Sequence, residues 1–189
     1  MNCHRVLPNL FVGPDPREGA DFEALRSLKI TAILSLQTED DLRDRGLGRE
    51  QEAGRAAAMD FLNMPVTDFD SADLQRRLPE CVRALDGMLK AGHSVYVHCT
   101  AGVSRSPTVV VAYLHWCLEW PLAKALAHVK KIRDCCPNSE AIRHANWPGR
   151  AETDHGIALA VITQFCEYAQ ADRFDVRSQP GWKQRLISR

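Results

Sequence analysis

Residues 94–119, SVYVHCTAGVSRSPTVVVAYLHWCLE, contain a short apolar run, a small polar loop and a long apolar run. The first run, residues 94–98, is apolar almost throughout, which is typical of a central strand buried on both faces. Pro107 stands near the start of the second run, where a helix tolerates proline. The stretch therefore predicts a buried strand, a loop over 99–105 and a helix over 106–119.

The same alternation of apolar runs and helical stretches continues on both sides of this segment. Residues 5–12, interrupted by Pro8, and the runs 30–37 and 61–66 resemble β-strands in composition. Apolar residues at helical spacing predict further helices over 22–29, 71–91, 121–134 and 138–146. Strands that alternate with helices form right-handed crossovers. The fold class predicted is therefore α/β: a single three-layer domain whose central, mostly parallel sheet is flanked by helices.

Local residues set the expected ends of these helices. Asp21 and Ser71 are expected as N-caps, and Asp73 is favourable in the first turn of its helix. Pro79 is expected to open a separate helical segment, because proline removes a hydrogen bond inside a helix. We place the domain at residues 1–146 and interpret 147–189 as a C-terminal helical extension, to which the sequence assigns no function.

Composition excludes several classes of protein. Among the 189 residues, 24 Lys and Arg balance 24 Asp and Glu, so the chain has no bulk positive charge for nucleic acid or for an anionic membrane. The seven cysteines are an odd number and include no CxxC pair, which favours a reducing compartment. The N-terminal residues do not resemble a secretory signal, and a cytoplasmic location is expected. Oligomeric state is not predicted.

Cofactor motifs are missing from the sequence. The seven histidines are scattered without metal-ligand spacing, and neither a dinucleotide fingerprint nor a GxxxxGK[ST] loop occurs, so no metal and no organic cofactor are expected. A modest basic run is interpreted as a solvated helix face; it consists of Lys124, Lys130, Lys131 and Arg133.

The loop after the central strand has the residues of an anion site. In open parallel sheets, ligands bind beyond the carboxyl ends of the strands, where helix N-termini direct their N–H groups. Gly102 allows the backbone to turn, and the planar fork of Arg105 fits two phosphate oxygens. Such surroundings favour the thiolate of Cys99, which is the nucleophilic form. The residues expected to bind phosphate are Thr100, Ala101, Gly102, Val103, Ser104 and Arg105.

HCTAGVSRS (98–106) is similar to the HCxxGxxRS loop of cysteine-dependent protein tyrosine phosphatases, and the chain resembles their small dual-specificity branch. A buried, inert thiol is the ordinary alternative for a cysteine, but it leaves Gly102 and Arg105 unexplained. Rhodanese-like sulfur transfer, which also uses a cysteine loop, accounts less well for an acid on another loop. The resemblance implies that Cys99 attacks phosphorus and that Arg105 binds the phosphate.

A general acid must protonate the leaving group, and Asp68 matches the family's acid position. Asp70 competes for the role, although it is better explained as a cap of the helix at 71. Ser106 matches the family hydroxyl that assists hydrolysis of the cysteinyl phosphate, and a role as helix N-cap is compatible with this. The implied activity is phosphomonoester hydrolysis through a cysteinyl-phosphate intermediate, with phosphoproteins phosphorylated on Tyr, Ser or Thr as substrates.

Within this branch the chain is similar to laforin-like and plant glucan phosphatases. The resemblance is carried by ILSLQTEDD (33–41), DFDSADLQRRLP (68–79), GHSVYVHCTAG (92–102) and CCPNSEAIRHA (135–145). Phe69 matches a glucan-contacting aromatic, whereas Ser104 replaces a typical glycine and Cys136 replaces an aromatic. A phosphoglucan is therefore the alternative substrate. A non-catalytic phosphate-binding module is a more remote alternative, since such modules usually lack the cysteine, the arginine or the acid.

Overall fold

The computed structural model describes residues 1–43, 53–54 and 57–149. A five-stranded sheet with the order β1-β2-β5-β3-β4 lies at its centre. The strands are β1 His4–Leu7, β2 Leu10–Pro14, β3 Ala32–Ser35, β4 Asp60–Asn63 and β5 Val95–Cys99. The central position of the 94–98 run is confirmed. The run 5–12 forms two strands, because the chain turns at Pro8 and Asn9.

All strand pairs except one are parallel. β5 pairs with β2 and with β3, and β3 pairs with β4, each in parallel, whereas β1 and β2 form an antiparallel hairpin. The carboxyl ends of β2, β3, β4 and β5 therefore lie along one edge. This confirms the mostly parallel sheet and brings together the segments that follow these strands.

Five α-helices that are described over their whole length flank the sheet, and residues 53–54 belong to a further helical turn. The five helices are α1 Gly19–Ser27, α2 Ser71–Lys90, α3 Arg105–Trp116, α4 Leu122–Ile132 and α5 Ser139–His144. A short 3₁₀ turn spans Asp40–Leu42. Residues 44–52 and 55–56, in the charged segment between β3 and β4, lie outside the described residues, as do residues 150–189 of the predicted extension. Within the described ranges, no helix is long and apolar enough to cross a bilayer.

Three details of the helices differ from the predictions. Helix α2 continues through Pro79, because this helix buries side chains on both sides of the proline and their packing offsets one lost hydrogen bond. Of the two N-cap candidates, Ser71 and Asp70, only Asp70 caps this helix. In α1 the N-cap is Glu18, and Asp21 is the third residue of a reciprocal capping box.

Alternating side chains of the strands supply two cores. Ile33, Tyr96 and Phe11 are paired in register across three strands and pack with α1 residues on one face. Leu34 and Val97, one residue further along their strands, face the larger core, to which α2, α3, α4 and α5 contribute. The sheet is thus covered on both faces, as the apolar composition of β5 predicts.

The start of α2 is tied to the loop that precedes it. The Asp73 carboxylate accepts a hydrogen bond from the Thr67 amide at 2.8 Å and from Arg77 Nε at 3.1 Å, and it also pairs with Arg76. Burial alone would raise the pKa of Asp73, but the bonds from Thr67 and the two arginines lower it to about 2. This carboxylate therefore stabilises the fold as an anion and fixes the position of the loop after β4.

Replacing Asp73 should cost stability in a pH-dependent way. Because the pKa of Asp73 is depressed in the folded state, its contribution is full above about pH 4 and is lost as the pH falls towards 2. We expect Asp73→Asn to lower the free energy of unfolding by about 2 kcal/mol at pH 6. Urea denaturation measures this effect. The difference in free energy of unfolding between wild type and Asp73→Asn should be smaller at pH 3 than at pH 6.

The matched control is Glu23→Gln, which changes an exposed carboxylate of α1. It should alter the free energy of unfolding by less than about 0.5 kcal/mol at either pH. If the free energy of unfolding of Asp73→Asn differs from that of wild type by the same amount at pH 6 and at pH 3, the ionic role of Asp73 is contradicted.

Candidate active site

The loop after β5 lies at the carboxyl edge of the sheet. Cys99 is the last residue of β5, and α3 begins at Arg105. The segments that follow β3 and β4 reach the same edge, since all three strands run parallel. Asp41 and Asp68, which belong to these two segments, both pair with Arg105. Three separate stretches of the chain therefore form one site.

The carbonyls of five consecutive loop residues, 100–104, each accept a hydrogen bond from outside the loop. The donors are the Asp15 amide to Thr100 O, Arg133 to Ala101 O and Gly102 O, the Cys136 amide to Val103 O, and the Thr108 amide and hydroxyl to Ser104 O. In a trans peptide unit the N–H points opposite to the carbonyl. The amides of residues 101–105 therefore face the inside of the loop, where they form a concave site for an anion.

Cys99 lies at the floor of this loop and is 3% exposed. The hydroxyl of Ser106 donates to its Sγ at 3.4 Å. Ser106 belongs to the first turn of α3, whose N-cap is Ser104, so the expectation that Ser106 caps the helix is wrong. Its buried hydroxyl faces the thiol because the helix begins one residue earlier, at Arg105.

Arg105 is buried, and most of its donors are already bound to the protein. Nη1 donates to Asp41 Oδ2 at 2.7 Å and to the Val66 carbonyl at 2.9 Å, and Nη2 donates to Asp41 Oδ1 at 3.0 Å and to Thr100 Oγ1 at 3.1 Å. Asp68 Oδ2 lies 2.9 Å from Nη2. Nε is also buried, yet it has no hydrogen-bond partner within the described part of the chain. A buried donor of this kind requires an acceptor, and an oxyanion would satisfy it.

The charges around Arg105 keep it ionised. Burial by itself would lower the pKa of Arg105, but the bond to Asp41 and the proximity of Cys99 and Asp68 raise it above its ordinary value. For Asp41, burial opposes ionisation, but the bonds from Arg105, Thr38 and Thr100 hold its pKa well below the usual range. The pair is therefore fully ionic at physiological pH.

Asp41 is a residue of the site that the sequence analysis missed. It lies in the 3₁₀ turn after β3, and its side chain is 10% exposed. The neighbouring Asp40 is 81% exposed and pairs with Arg43. The sequence offered a signal in the acidic run TEDD, but adjacent acids point in different directions around a turn, and the sequence does not show which one faces the site.

The two candidate acids after β4 have different partners. Asp70 Oδ1 accepts hydrogen bonds from the amides of Ala72 and Asp73 at 3.0 and 2.9 Å, which confirms it as the cap of α2. Asp68 turns towards the loop, where it pairs with Arg105 and stays 35% exposed. The loop therefore directs only Asp68 of the two carboxylates into the site.

Phe69 lies beside Asp68 with its side chain in solvent. It is 102% exposed, and its backbone is in the left-handed region with φ 59°. An aromatic residue rarely adopts this conformation, because its Cβ is crowded there. The Phe69 amide donates to Asp68 Oδ1 at 3.1 Å, so the same turn that orients the acid places the ring outside the protein.

One residue of the predicted basic run lies elsewhere than expected. Lys124, Lys130 and Lys131 are exposed, as predicted. Arg133 is instead 5% exposed and contacts the carbonyls of the loop. Its assignment to a solvated face was wrong, because Arg133 follows the last residue of α4 at a buried position, where the loop carbonyls accept its hydrogen bonds.

Comparisons with known proteins identify a family for most of the chain. Residues 10–145 match the family described as dual specificity phosphatase, catalytic domain. Phosphoglucan phosphatase LSF1, chloroplastic, of Arabidopsis thaliana is 34% identical over 158 residues, which cover 82% of this chain and 27% of that protein. Human dual specificity protein phosphatase 22 is 32% identical over 71% of this chain and 67% of that protein. The structure of human DUSP28, 28% identical, aligns with a TM-score of 0.59 over 77% of this chain and 93% of that one.

The chain spans half or less of the length of the curated phosphoglucan phosphatases that it matches. The family match begins at the first residue of β2 and ends just after α5, so it includes the whole loop and the segments that carry Asp41 and Asp68. Over this region the chain belongs to the dual specificity phosphatase catalytic domain family.

Proposed function

We propose that this chain hydrolyses phosphomonoesters through a cysteinyl-phosphate intermediate, with phosphoproteins as its substrates. The observation that carries the proposal is the loop after Cys99, whose amides of residues 101–105 face inward, together with the buried Nε of Arg105, which has no hydrogen-bond partner in the described part of the chain. Phosphate oxygens match this set of donors in number and charge. Retention of Cys99, Arg105 and Asp68 together argues against a non-catalytic binding module.

In the first step, the Cys99 thiolate attacks phosphorus and the bond to the leaving oxygen breaks. The equatorial oxygens receive hydrogen bonds from the loop amides and from Arg105, which stabilise the charge of the transition state. Asp68 donates its proton to the leaving oxygen. Its position supports this role, because the carboxylate lies at the open side of the site, beside Arg105.

In the second step, water attacks the cysteinyl phosphate, and Asp68 removes a proton from that water. The sulfur–phosphorus bond breaks, and Cys99 leaves as a thiolate. The Ser106 hydroxyl, which donates to Sγ at 3.4 Å, stabilises the negative charge on the departing sulfur. Thr100, Ala101, Gly102, Val103, Ser104 and Arg105 supply the remaining phosphate contacts.

Asp41 is proposed to hold Arg105 in its binding orientation. Both carboxylate oxygens of Asp41 accept from the two terminal nitrogens of the guanidinium, a bidentate geometry that fixes its plane. With that plane fixed, the orientation of Nε is fixed as well.

Two residues at the loop favour different substrate classes. Ser104 stands where glucan phosphatases typically carry glycine, which supports a phosphoprotein substrate. Phe69 favours the second candidate, a phosphoglucan, because sugar rings pack on exposed aromatic faces and this ring is fully exposed beside the acid. The chain has relatives named for each activity.

The domain boundary after residue 146 and the cytoplasmic location belong to the same proposal. The family match ends at residue 145, which supports the boundary. Cys99 is a free thiol, and so are Cys3, Cys81, Cys135 and Cys136, which suits a reducing compartment.

Substitution of the nucleophile and of the acid should have different effects. We expect Cys99→Ser to lower kcat on an aryl phosphate by at least about 1,000-fold, because a hydroxyl is a far weaker nucleophile at neutral pH. Asp68→Asn should cost on the order of 100-fold on a phosphoserine peptide and much less on nitrophenyl phosphate, whose leaving group needs no proton. Steady-state kinetics on both substrates measure this difference.

The control is Cys135→Ser, which removes a thiol that the proposed mechanism does not use and should stay within about two-fold of wild type. Activity of Cys99→Ser equal to that of wild type would refute the proposed function. An equal loss on both substrates for Asp68→Asn would remove that residue from the role of general acid.

Loss of the Asp41 charge should act through Arg105. In Asp41→Asn an amide nitrogen faces a guanidinium donor, so the bidentate pair is lost and Arg105 can turn. We expect kcat/KM on nitrophenyl phosphate to fall on the order of 100-fold, and competitive inhibition by inorganic phosphate to weaken. Asp40→Asn, the exposed neighbour, is the matched control, and comparable effects of the two substitutions would contradict the assignment.

Phe69→Ala separates the two substrate classes. If phosphoproteins are the substrates, release of phosphate from phosphopeptides exceeds release from solubilised phosphoglucan, and the substitution changes peptide turnover by less than about three-fold. Higher turnover of phosphoglucan, lost selectively in Phe69→Ala, would reverse the assignment. Leu28→Ala removes another exposed apolar side chain away from the site and serves as the control.

A further inference from the structure

Arg133 contacts the loop from the side opposite to the phosphate site. Its Nε donates to the Gly102 carbonyl at 2.6 Å, and its Nη2 donates to the Ala101 carbonyl at 3.0 Å. On the other side, Nη1 donates to the Asn2 carbonyl at 3.0 Å and lies 3.1 Å from Nδ1 of His4. One buried guanidinium therefore joins the loop to the N-terminal residues.

These two bonds determine where two amides of the loop point. Holding the Ala101 carbonyl outward directs the Gly102 N–H inward, and holding the Gly102 carbonyl outward directs the Val103 N–H inward. Two adjacent carbonyls need donors at a fixed separation. The rigid fork of an arginine provides them, whereas a lysine ammonium is a single point.

The conformation of Gly102 explains why the loop needs these two hydrogen bonds from Arg133. Its φ of 66° is readily adopted only by glycine, and a Cβ there would collide with the backbone of Gly13 in β2. The same freedom lets the peptide unit after Gly102 rotate at little steric cost. Rotation would turn the Val103 N–H out of the site, and the bond from Arg133 to the Gly102 carbonyl opposes it.

We infer that Arg133 is a positioning residue of the phosphate site, which keeps the amides of Gly102 and Val103 directed at the bound oxyanion. It does not touch the substrate and acts through the two carbonyls. The inference rests on the proposed function for its effect on turnover, while its effect on anion binding can be measured without turnover.

The contact between Arg133 and His4 is compatible with this role at neutral pH. An arginine only donates, so Nδ1 of His4 must carry a lone pair. Burial, and next the charge of Arg133, lower the pKa of His4, which keeps its ring neutral. The guanidinium of Arg133 therefore contacts a neutral hydrogen-bond acceptor at His4, and not a second cation.

The test compares Arg133→Gln and Arg133→Lys with two matched controls. Val129→Ala removes a buried side chain one helical turn earlier on α4, and Lys131→Gln removes an exposed charge two residues away. For each protein we would measure kcat and KM on nitrophenyl phosphate, the dissociation constant of inorganic phosphate by calorimetry, and Tm.

We expect Arg133→Gln to weaken phosphate binding and kcat/KM by about 10-fold or more, because two amides lose their fixed orientation. Arg133→Lys should recover only part of this loss, since it restores the charge but not the second donor. Val129→Ala should lower Tm while phosphate affinity stays within about two-fold of wild type, and Lys131→Gln should change neither.

Two results would overturn the inference: phosphate affinity in Arg133→Gln equal to that in Val129→Ala, or full recovery by Arg133→Lys. Failure of the proposed function looks different. Wild-type protein would then bind phosphate without hydrolysing nitrophenyl phosphate, and the comparison of phosphate affinities would still decide the role of Arg133.

Discussion

The outward orientation of five consecutive carbonyls is the constraint on which the site depends. Their donors come from four places in the fold: Asp15 after β2, Thr108 in α3, Arg133 at the end of α4 and Cys136 just beyond it. A seven-residue loop with a central glycine has no preference of its own for this geometry. The sheet and the helices together determine its shape, so the site depends on the fold of the whole domain.

The two carboxylates that pair with Arg105 differ in how deeply they are buried. Asp41 is almost buried and holds the guanidinium in a bidentate pair, whereas Asp68 is one-third exposed and meets a single nitrogen. Exposed ion pairs are weak, because water competes for both charges. In the mechanism we propose, a phosphate that enters the loop would therefore displace Asp68 from Arg105 more easily than Asp41. Asp68 would then be free to reach the leaving group while Asp41 keeps the guanidinium in its orientation.

The parts of this structure that the sequence could predict are those set by local periodicity and capping. The apolar run of β5, Pro107 at the start of α3 and the choice of Asp70 as a cap each depend on a few neighbouring residues. The prediction that Pro79 begins a separate helix was wrong, because it was based only on the hydrogen bond that proline removes. The buried side chains of α2 on both sides of that proline decide the outcome instead.

The residues that were missed act over long distances in the chain: Asp41 lies 64 residues before Arg105, and Arg133 lies 31 residues after Gly102. Thr38 does distinguish Asp41 locally from Asp40, because its amide and its hydroxyl donate to the Asp41 carboxylate at the spacing of a capping box. That pattern places Asp41 in the turn but does not predict its contact with Arg105. For Arg133 a pattern does exist, since Ala125 and Val129 are buried at four-residue spacing and Arg133 is the next position on that face. A cation that continues the apolar face of a helix must find acceptors inside the protein, because a buried charge without partners is too costly. The outward carbonyls of the loop are suitable acceptors. The buried charge of Arg133 thus finds partners, and the carbonyls find donors.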